Sequence, residues 1–229
     1  MRVAIYFTPD SNAPLSMAAA SWLGRSPYPS QDVDGERPAL KGLDEVTVSP
    51  RRYGFHATFK APFALAEGKT LADLDGAMTA YCAEAAPFVL PSLILGQIGS
   101  FFALVPAGPN EILQAFAGEV VRRFEPFRAP LAEADLERRR QSGLSPVQDA
   151  FLQEWGYPYV FEAFRYHMTL TGPVPADRQG EVRDALLIHF APFIGKPLAI
   201  DALALFVEPE AGADFTVHAR HKLGASPQG

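Results

Sequence analysis

Two short stretches set an imidazole and a hydroxyl two residues apart: His56-Ala57-Thr58 and His167-Met168-Thr169. In an extended chain alternate side chains share a face, so each histidine would project together with its threonine. Around the first unit, Gly54, His56, Thr58 and Lys60 would oppose Phe55, Ala57 and Phe59. Around the second, Arg165, His167, Thr169 and Thr171 would oppose Tyr166, Met168 and Leu170. The apolar sets can anchor in a core while the polar sets face a cleft. An unperturbed pKa of about 6.5 keeps both protonation states of histidine accessible near neutrality, which suits a pair to proton transfer. A threonine hydroxyl beside each adds a neutral hydrogen-bond donor. One such unit alone reads most simply as a satisfied structural histidine. Two in matching contexts, each beside an apolar face and a cation, point to chemistry.

The tetrads His56-Ala57-Thr58-Phe59 and His167-Met168-Thr169-Leu170 resemble the paired motifs of the 2H phosphoesterase superfamily. The longer block from Arg52 through Phe63 is similar to an uncharacterised bacterial branch associated with phosphonate-utilisation operons, and the resemblance covers nearly the whole chain. It implies two pseudo-symmetric lobes that bring both tetrads into one central cleft. It further implies His56 and His167 as the catalytic pair and Thr58 and Thr169 as phosphate-binding groups. The implied reaction is metal-independent hydrolysis of a small cyclic phosphate or nucleotide-like phosphodiester. One imidazole would take a proton from water and the other would give one to the departing alcohol oxygen. RNA-end ligation with its reverse cyclic phosphodiesterase activity is the alternative enzyme, with an RNA end as partner. A non-enzymatic phosphate-ligand or RNA-binding protein is the alternative outside catalysis. No cofactor, metal or obligate protein partner is implied, and phosphonate metabolism is the implied context.

Five further residues are candidates for substrate binding. Lys60 and Arg165 have the strand parity to face the cleft, and Arg52 shares it if no bulge separates it from His56. A guanidinium suits bidentate phosphate binding. Tyr6 opposes Ile5 and Phe7 on the first strand and could line the cleft, and Tyr53 could stack on a base or sugar. Phe101 and Phe102 could present one aromatic surface, although 17 phenylalanines in the chain make core packing the default for each. His189 reads as a helix-end residue, and His218 and His221 fall on opposite strand faces without a metal motif.

The composition fits a chain that folds around a core. Of 229 residues 48% are apolar and 20% charged, and 21 prolines punctuate the loops between apolar runs. The net charge of −6, from 20 basic and 26 acidic residues, disfavours a protein coated in basic surface for nucleic-acid duplexes. It leaves room for a small anion in a locally positive cleft. The single cysteine, Cys82, excludes an internal disulfide and reads as a buried helix residue. No stretch reaches the roughly 18 apolar residues of a membrane span, and the expected location is cytoplasmic.

Hydrophobic periodicity then supplies the elements. A strand opens the chain and a helix over 15–23 closes at Gly24, followed by a loop over 26–43. An extended run through Val46 and Val48, broken at Pro50, resumes over 53–59. A helix over 70–85 follows, capped by Thr70, then strands over 89–95 and 101–105, and a helix capped by Asn110. After a helical connection come an extended run over 164–170, a helix over 176–190, and strands over 197–207 and 215–221. The pattern predicts an α+β fold of two related lobes, 1–130 and 160–223, with antiparallel or mixed sheets and outer helices. The connection over 131–159 reads as helical, with its charge run from Glu133 to Arg140 as a solvated face. All of it forms one bilobal domain.

Overall fold

Val3, Ile5 and Phe7 alternate with Ala4 and Tyr6, and this period makes strand β1 (Arg2–Phe7). Pro14 starts helix α1 (Pro14–Leu23), where its missing N–H has no intrahelical acceptor to satisfy, and Gly24 ends it at φ 76°. The computed structural model describes residues 1–29, 31, 33 and 36–224. Ser30, Asp32, Asp34 and Gly35, within the loop expected over 26–43, lie outside the described residues.

The next element corrects the sequence reading. Val46, Val48 and Pro50 belong to helix α2 (Leu43–Tyr53) and not to an extended run. Pro50 cannot donate to the Val46 carbonyl, and the Gly172 N–H does so instead at 2.6 Å. Asp44 and Glu45 in the first turn and Arg51 and Arg52 in the last complement the helix dipole. A tertiary hydrogen bond and end charges therefore outweigh the β-branched preference.

Strand β2 (Ala57–Phe63) follows, and a Thr70–Asp73 capping box starts α3 (Leu71–Glu84). The strand expected over 89–95 divides into β3 (Phe88–Leu90) and β4 (Leu93–Ile98). Pro91 stands between them. Strand β5 (Phe101–Pro106) leads to α4 (Glu111–Arg123), whose Leu113 N–H donates to the Asn110 side chain. The connection holds α5 (Glu133–Arg140) and α6 (Pro146–Trp155). The run expected over 164–170 contracts to β6 (Met168–Thr169). Helix α7 (Gln179–His189) and strands β7 (Leu198–Ile200), β8 (Ala202–Glu208) and β9 (Thr216–Lys222) complete the order.

Seven strands form one sheet in the order β4-β5-β6-β2-β1-β8-β9, and β3 pairs with β7 in a second. Every pairing between these strands is antiparallel. One face of the large sheet, with Ile5, Phe59, Leu104 and Leu205, packs with α1, α3, α4 and α7 into the main core. On the other face Ala4, Tyr6, Ala204 and Phe206 make a small cluster with Phe215. The fold is thus mixed α and β, with antiparallel sheets and outer helices. Its spatial halves, β4-β5-β6 and β2-β1-β8-β9, meet where β6 pairs with β2. The expected lobes 1–130 and 160–223 exchange strands: β6 from the second joins β5, and β8 joins β1. Among the described residues no helix is long and apolar enough to cross a membrane.

Candidate active site

His56 immediately precedes β2 and His167 immediately precedes β6, with Thr58 and Thr169 on those strands. Ala57 and Met168 are cross-strand partners, and both are sealed in the core at 1% and 0% exposure. Continuing this antiparallel register by one residue each way sets His56 across from Thr169 and Thr58 across from His167. All four then occupy the face opposite the core, with cross-strand Cβ atoms roughly 4.5–5.5 Å apart. Each imidazole stands beside the hydroxyl of the other motif.

The two rings are held alike. Nδ1 of His56 lies 2.8 Å from the Gly54 carbonyl oxygen, and Nδ1 of His167 lies 2.7 Å from that of Arg165. A carbonyl oxygen only accepts, so these bonds assign the proton to Nδ1 and leave Nε2 for exchange with a ligand. Gly54 adopts φ 71° and ψ 173°, a left-handed turn between α2 and β2 that favours glycine. Pro27 also blocks a side chain there, since its Cβ would stand 2.5 Å from an added one.

Their surroundings differ. His56 stacks on Tyr6 with ring centroids 3.9 Å apart and planes 21° from parallel, and Tyr53 and Phe206 lie 6.1 Å away. Burial pushes the His56 imidazole down to about 4, and the second imidazole, His167, adds a smaller push the same way against the Gly54 hydrogen bond. Burial also holds the Tyr6 phenol far above its ordinary range, so it remains protonated. His167 meets Phe101 in a tilted contact at 5.9 Å.

A cavity of about 600 Å³ joins His56, Thr58 and Thr169 to Tyr6, Tyr53 and Phe101. A neighbouring compartment of about 400 Å³ holds His167 and Arg165 and shares Thr58 and Phe101 with the first. Tyr6 and Tyr53 line the cavity, Tyr53 from the end of α2 rather than from an extended run, where it stacks on Phe215 at 5.2 Å. Arg165 is exposed on the rim, its Nη1 donating to the Glu162 and Phe164 carbonyls. Phe101 lines the cleft while Phe102, at 2% exposure, belongs to the core.

Two cations are placed elsewhere than parity predicts. Tyr6 pairs with Thr58 but Ile5 with Lys60, so one extra residue, Phe59, is inserted there. That bulge turns Lys60 to the core side with Phe59. Its Nζ donates to the Val121 carbonyl at 3.1 Å and to Glu125 at 2.7 Å. Arg52 is a helical residue of α2, not a strand neighbour of His56, and it donates to the carboxylate of Glu208 and to the Ala213 carbonyl.

Sequence reasoning missed the other wall. The connection over 131–159 brings Arg138, Arg139, Tyr157 and Tyr159 to the lining of the cavity that Arg2 of β1 also lines, although α5 has no buried residue. The available signal was the company of Arg138-Arg139-Arg140 and Tyr157-Pro158-Tyr159 in one connection. The remaining histidines lie outside the cleft lining. His189 Nε2 contacts the Ala18 carbonyl at 2.8 Å, His221 Nε2 contacts Asp75 at 2.9 Å, and His218 is exposed. Cys82 is buried on α3, and burial pushes its thiol up to about 11. Among the described residues, no group of three or more His, Cys, Asp or Glu is placed to hold a metal ion.

Comparison with known proteins adds sequence relatives and remote structural likenesses. Two curated relatives are named ribose 1,5-bisphosphate phosphokinase PhnN. The one from Janthinobacterium sp. (strain Marseille) is 42% identical over 221 residues, covering 93% of this chain and 49% of the relative. The one from Laribacter hongkongensis (strain HLHK9) is 32% identical over 215 residues, covering 94% and 50%. The chain thus spans about half the length of these relatives. Among solved structures, TT0787 of Thermus thermophilus aligns over 98% of both chains with a TM-score of 0.47 and 13% identity. E. coli LigT complexed with 3′-AMP aligns over 98% of both with a TM-score of 0.43 and 15% identity. Such remote likenesses bear on neither ligand nor reaction. The family model described as "Protein of unknown function (DUF1045)" matches residues 58–216, from the Thr58 strand to the start of β9, and the chain belongs to that family.

Proposed function

We propose that the chain is a metal-independent 2H-type phosphoesterase that hydrolyses a small cyclic phosphate or nucleotide-like phosphodiester. The observation that carries this reading is the Ala57–Met168 pairing, which aligns two imidazoles and two hydroxyls on one face beneath a cavity. His56, kept neutral near pH 7 by burial, serves as the base. Its Nε2 takes a proton from water as the water oxygen bonds to phosphorus. His167 in its protonated form gives its Nε2 proton to the ester oxygen whose bond to phosphorus breaks. Thr58 and Thr169 donate to the non-bridging phosphoryl oxygens, where negative charge builds. The products are a phosphomonoester and an alcohol, and proton exchange with solvent restores both rings. These four groups supply the proton transfers and hydrogen bonds without a metal.

The name of the two relatives favours a sugar phosphate as substrate. Opening ribose 5-phosphate 1,2-cyclic phosphate at its O2–phosphorus bond yields ribose 1,5-bisphosphate, the compound in that name. This fits the phosphonate-utilisation context that the family resemblance implies. The test is a screen of EDTA-treated protein against 2′,3′-cyclic nucleotides, ribose cyclic phosphates and RNA ends. Turnover of one cyclic-phosphate class, persisting in EDTA, is the expected result. Activity lost in EDTA and restored by one divalent ion overturns metal independence. Joining of RNA ends, or binding without turnover of any compound, favours the ligase or the non-enzymatic reading respectively.

A further inference from the structure

The cavity above the tetrads has a second chemical feature, at its other end. Arg2, Arg138 and Arg139 line the same space as His56, Thr58 and Thr169, yet the proton transfers assigned above use none of them. Arg2 and Tyr6 share a face of β1 four residues apart, so their Cα atoms are separated by about 13 Å. Long arginine side chains shorten that span. Arg2 can therefore reach a second group of a sugar-sized substrate held at the histidines.

Their charges are incompletely answered. Arg2 and Arg52 share one carboxylate, that of fully buried Glu208, with Arg2 Nη2 at 2.9 Å from Oε1. The Arg2 guanidinium holds Glu208 below the usual carboxylate range, so it stays ionised. Arg138 pairs with Asp135 at 2.7 Å. Arg139 donates Nη1 to the Gly156 carbonyl at 2.9 Å, and among the described residues no carboxylate lies within ion-pair distance of it. One positive charge remains unneutralised on Arg139, and a second is shared between Arg2 and Arg52, of which only Arg2 lines the cavity. Burial lowers Arg139 from its ordinary value; Tyr157 and Asp135 oppose that shift, and Arg138 and Arg2 add a smaller repulsion. A desolvated, unpaired guanidinium at a cavity wall is a costly arrangement that an anion relieves. Beside it, burial pushes the Tyr157 phenol up to about 12, keeping a neutral hydroxyl donor in the same wall.

We propose that Arg139, with Arg2 and Arg138, forms a second anion subsite that takes a terminal phosphomonoester of the substrate, distinct from the phosphodiester at the histidines. The unpaired charge of Arg139 and the surplus that Arg2 shares with Arg52 suit an anionic phosphomonoester, and guanidinium forks match its oxygens. The substrate class is thereby narrowed to small cyclic phosphodiesters that carry a further phosphate. This assignment rests on the phosphodiesterase reading of the same cleft.

Two measurements test it and keep the two readings apart. The first compares kcat/KM on matched pairs: 2′,3′-cyclic AMP with and without a 5′-phosphate, and ribose 1,2-cyclic phosphate with and without a 5-phosphate. Wild type should prefer the phosphorylated member by about tenfold or more, the worth of one charge-assisted contact, mainly through KM. Arg139→Ala should erase most of that preference, and Arg139→Lys should restore part of it. Equal rates on both members in wild type, or an equal loss on both in Arg139→Ala, overturns the subsite. The second measurement is calorimetric binding of ribose 5-phosphate to the His56→Ala/His167→Ala protein, with and without Arg139→Ala. Binding that depends on Arg139 supports the subsite even where no diester is turned over, an outcome that sinks only the hydrolase reading. Binding indifferent to Arg139 sinks the subsite.

Discussion

The two histidines occupy equivalent backbone positions and unequal surroundings. Each holds its Nδ1 proton on a carbonyl two residues upstream, and each lies across from the other's threonine by register. His56, however, is stacked against Tyr6 and backed by Tyr53 and Phe206, whereas His167 meets, among the described residues, only Phe101 as an aromatic ring. Strand register sets where the imidazoles stand, and side-chain packing keeps His56 neutral. In the proposed reaction this difference makes His56 the base and leaves His167 to act as the acid.

Removing either ring is the largest test of that contrast. His56→Ala and His167→Ala should each slow the chemical step on the order of 10²–10⁴-fold. The pH profile should separate them, its acidic limb vanishing with His56. Loss of that limb in His167→Ala as well breaks the asymmetry, whatever the size of the rate effect.

A smaller effect isolates the packing. Tyr6→Leu removes the stacked ring and admits water, so the His56 pKa should climb from about 4 toward its ordinary 6.5. A base works when unprotonated, so the acidic limb of kcat/KM should move to higher pH by one unit or so, given that each unit reflects about 1.4 kcal/mol of differential interaction. Stability should follow the same linkage. A folded-state pKa below the unfolded value means that His56 withholds a proton the unfolded chain binds, so its contribution is intact above pH 6.5 and erodes as pH falls toward 4. A limb that stays put in Tyr6→Leu would mean that burial by Tyr6 does not set the difference.

The smallest effect concerns the cations near each motif. Lys60 is sealed against α4 by Glu125, while Arg165 stands exposed at the cleft. Lys60→Met should change stability by about 1 kcal/mol, because a methionine fills the space and Glu125 keeps Arg128, and should leave kcat/KM within about twofold. A large loss of activity with unchanged stability would return Lys60 to the cleft.

What the sequence revealed depended on the range of the interaction involved. Gly24, the Thr70 cap and the Asn110 cap act within one turn of chain, and the helix ends they mark stand where their chemistry places them. Strand parity put His56 with Thr58 and His167 with Thr169; in the structure His56, Thr58 and Thr169 line one cavity, and His167 lines the neighbouring compartment with Thr58. It failed at Lys60, where the Phe59 bulge shifts the period by one. Helix α2 was hidden because the acceptor stranded by Pro50 finds its donor at Gly172, far along the chain. Arg138 and Arg139 were hidden because local periodicity cannot say over which surface a connection folds.

The strand order also governs how the sheet can close during synthesis. β6 lies between β5 and β2, although it follows both in the chain by many residues. While β6 is still missing, β5 and β2 each present an unsatisfied edge, and that gap is where the two His-x-Thr motifs will meet. The floor of the cleft is consequently among the last parts of the sheet to zip shut, inserted between strands made long before. A nascent chain stalled at that stage offers two sticky margins to other chains, the situation in which edge pairing leads to aggregation.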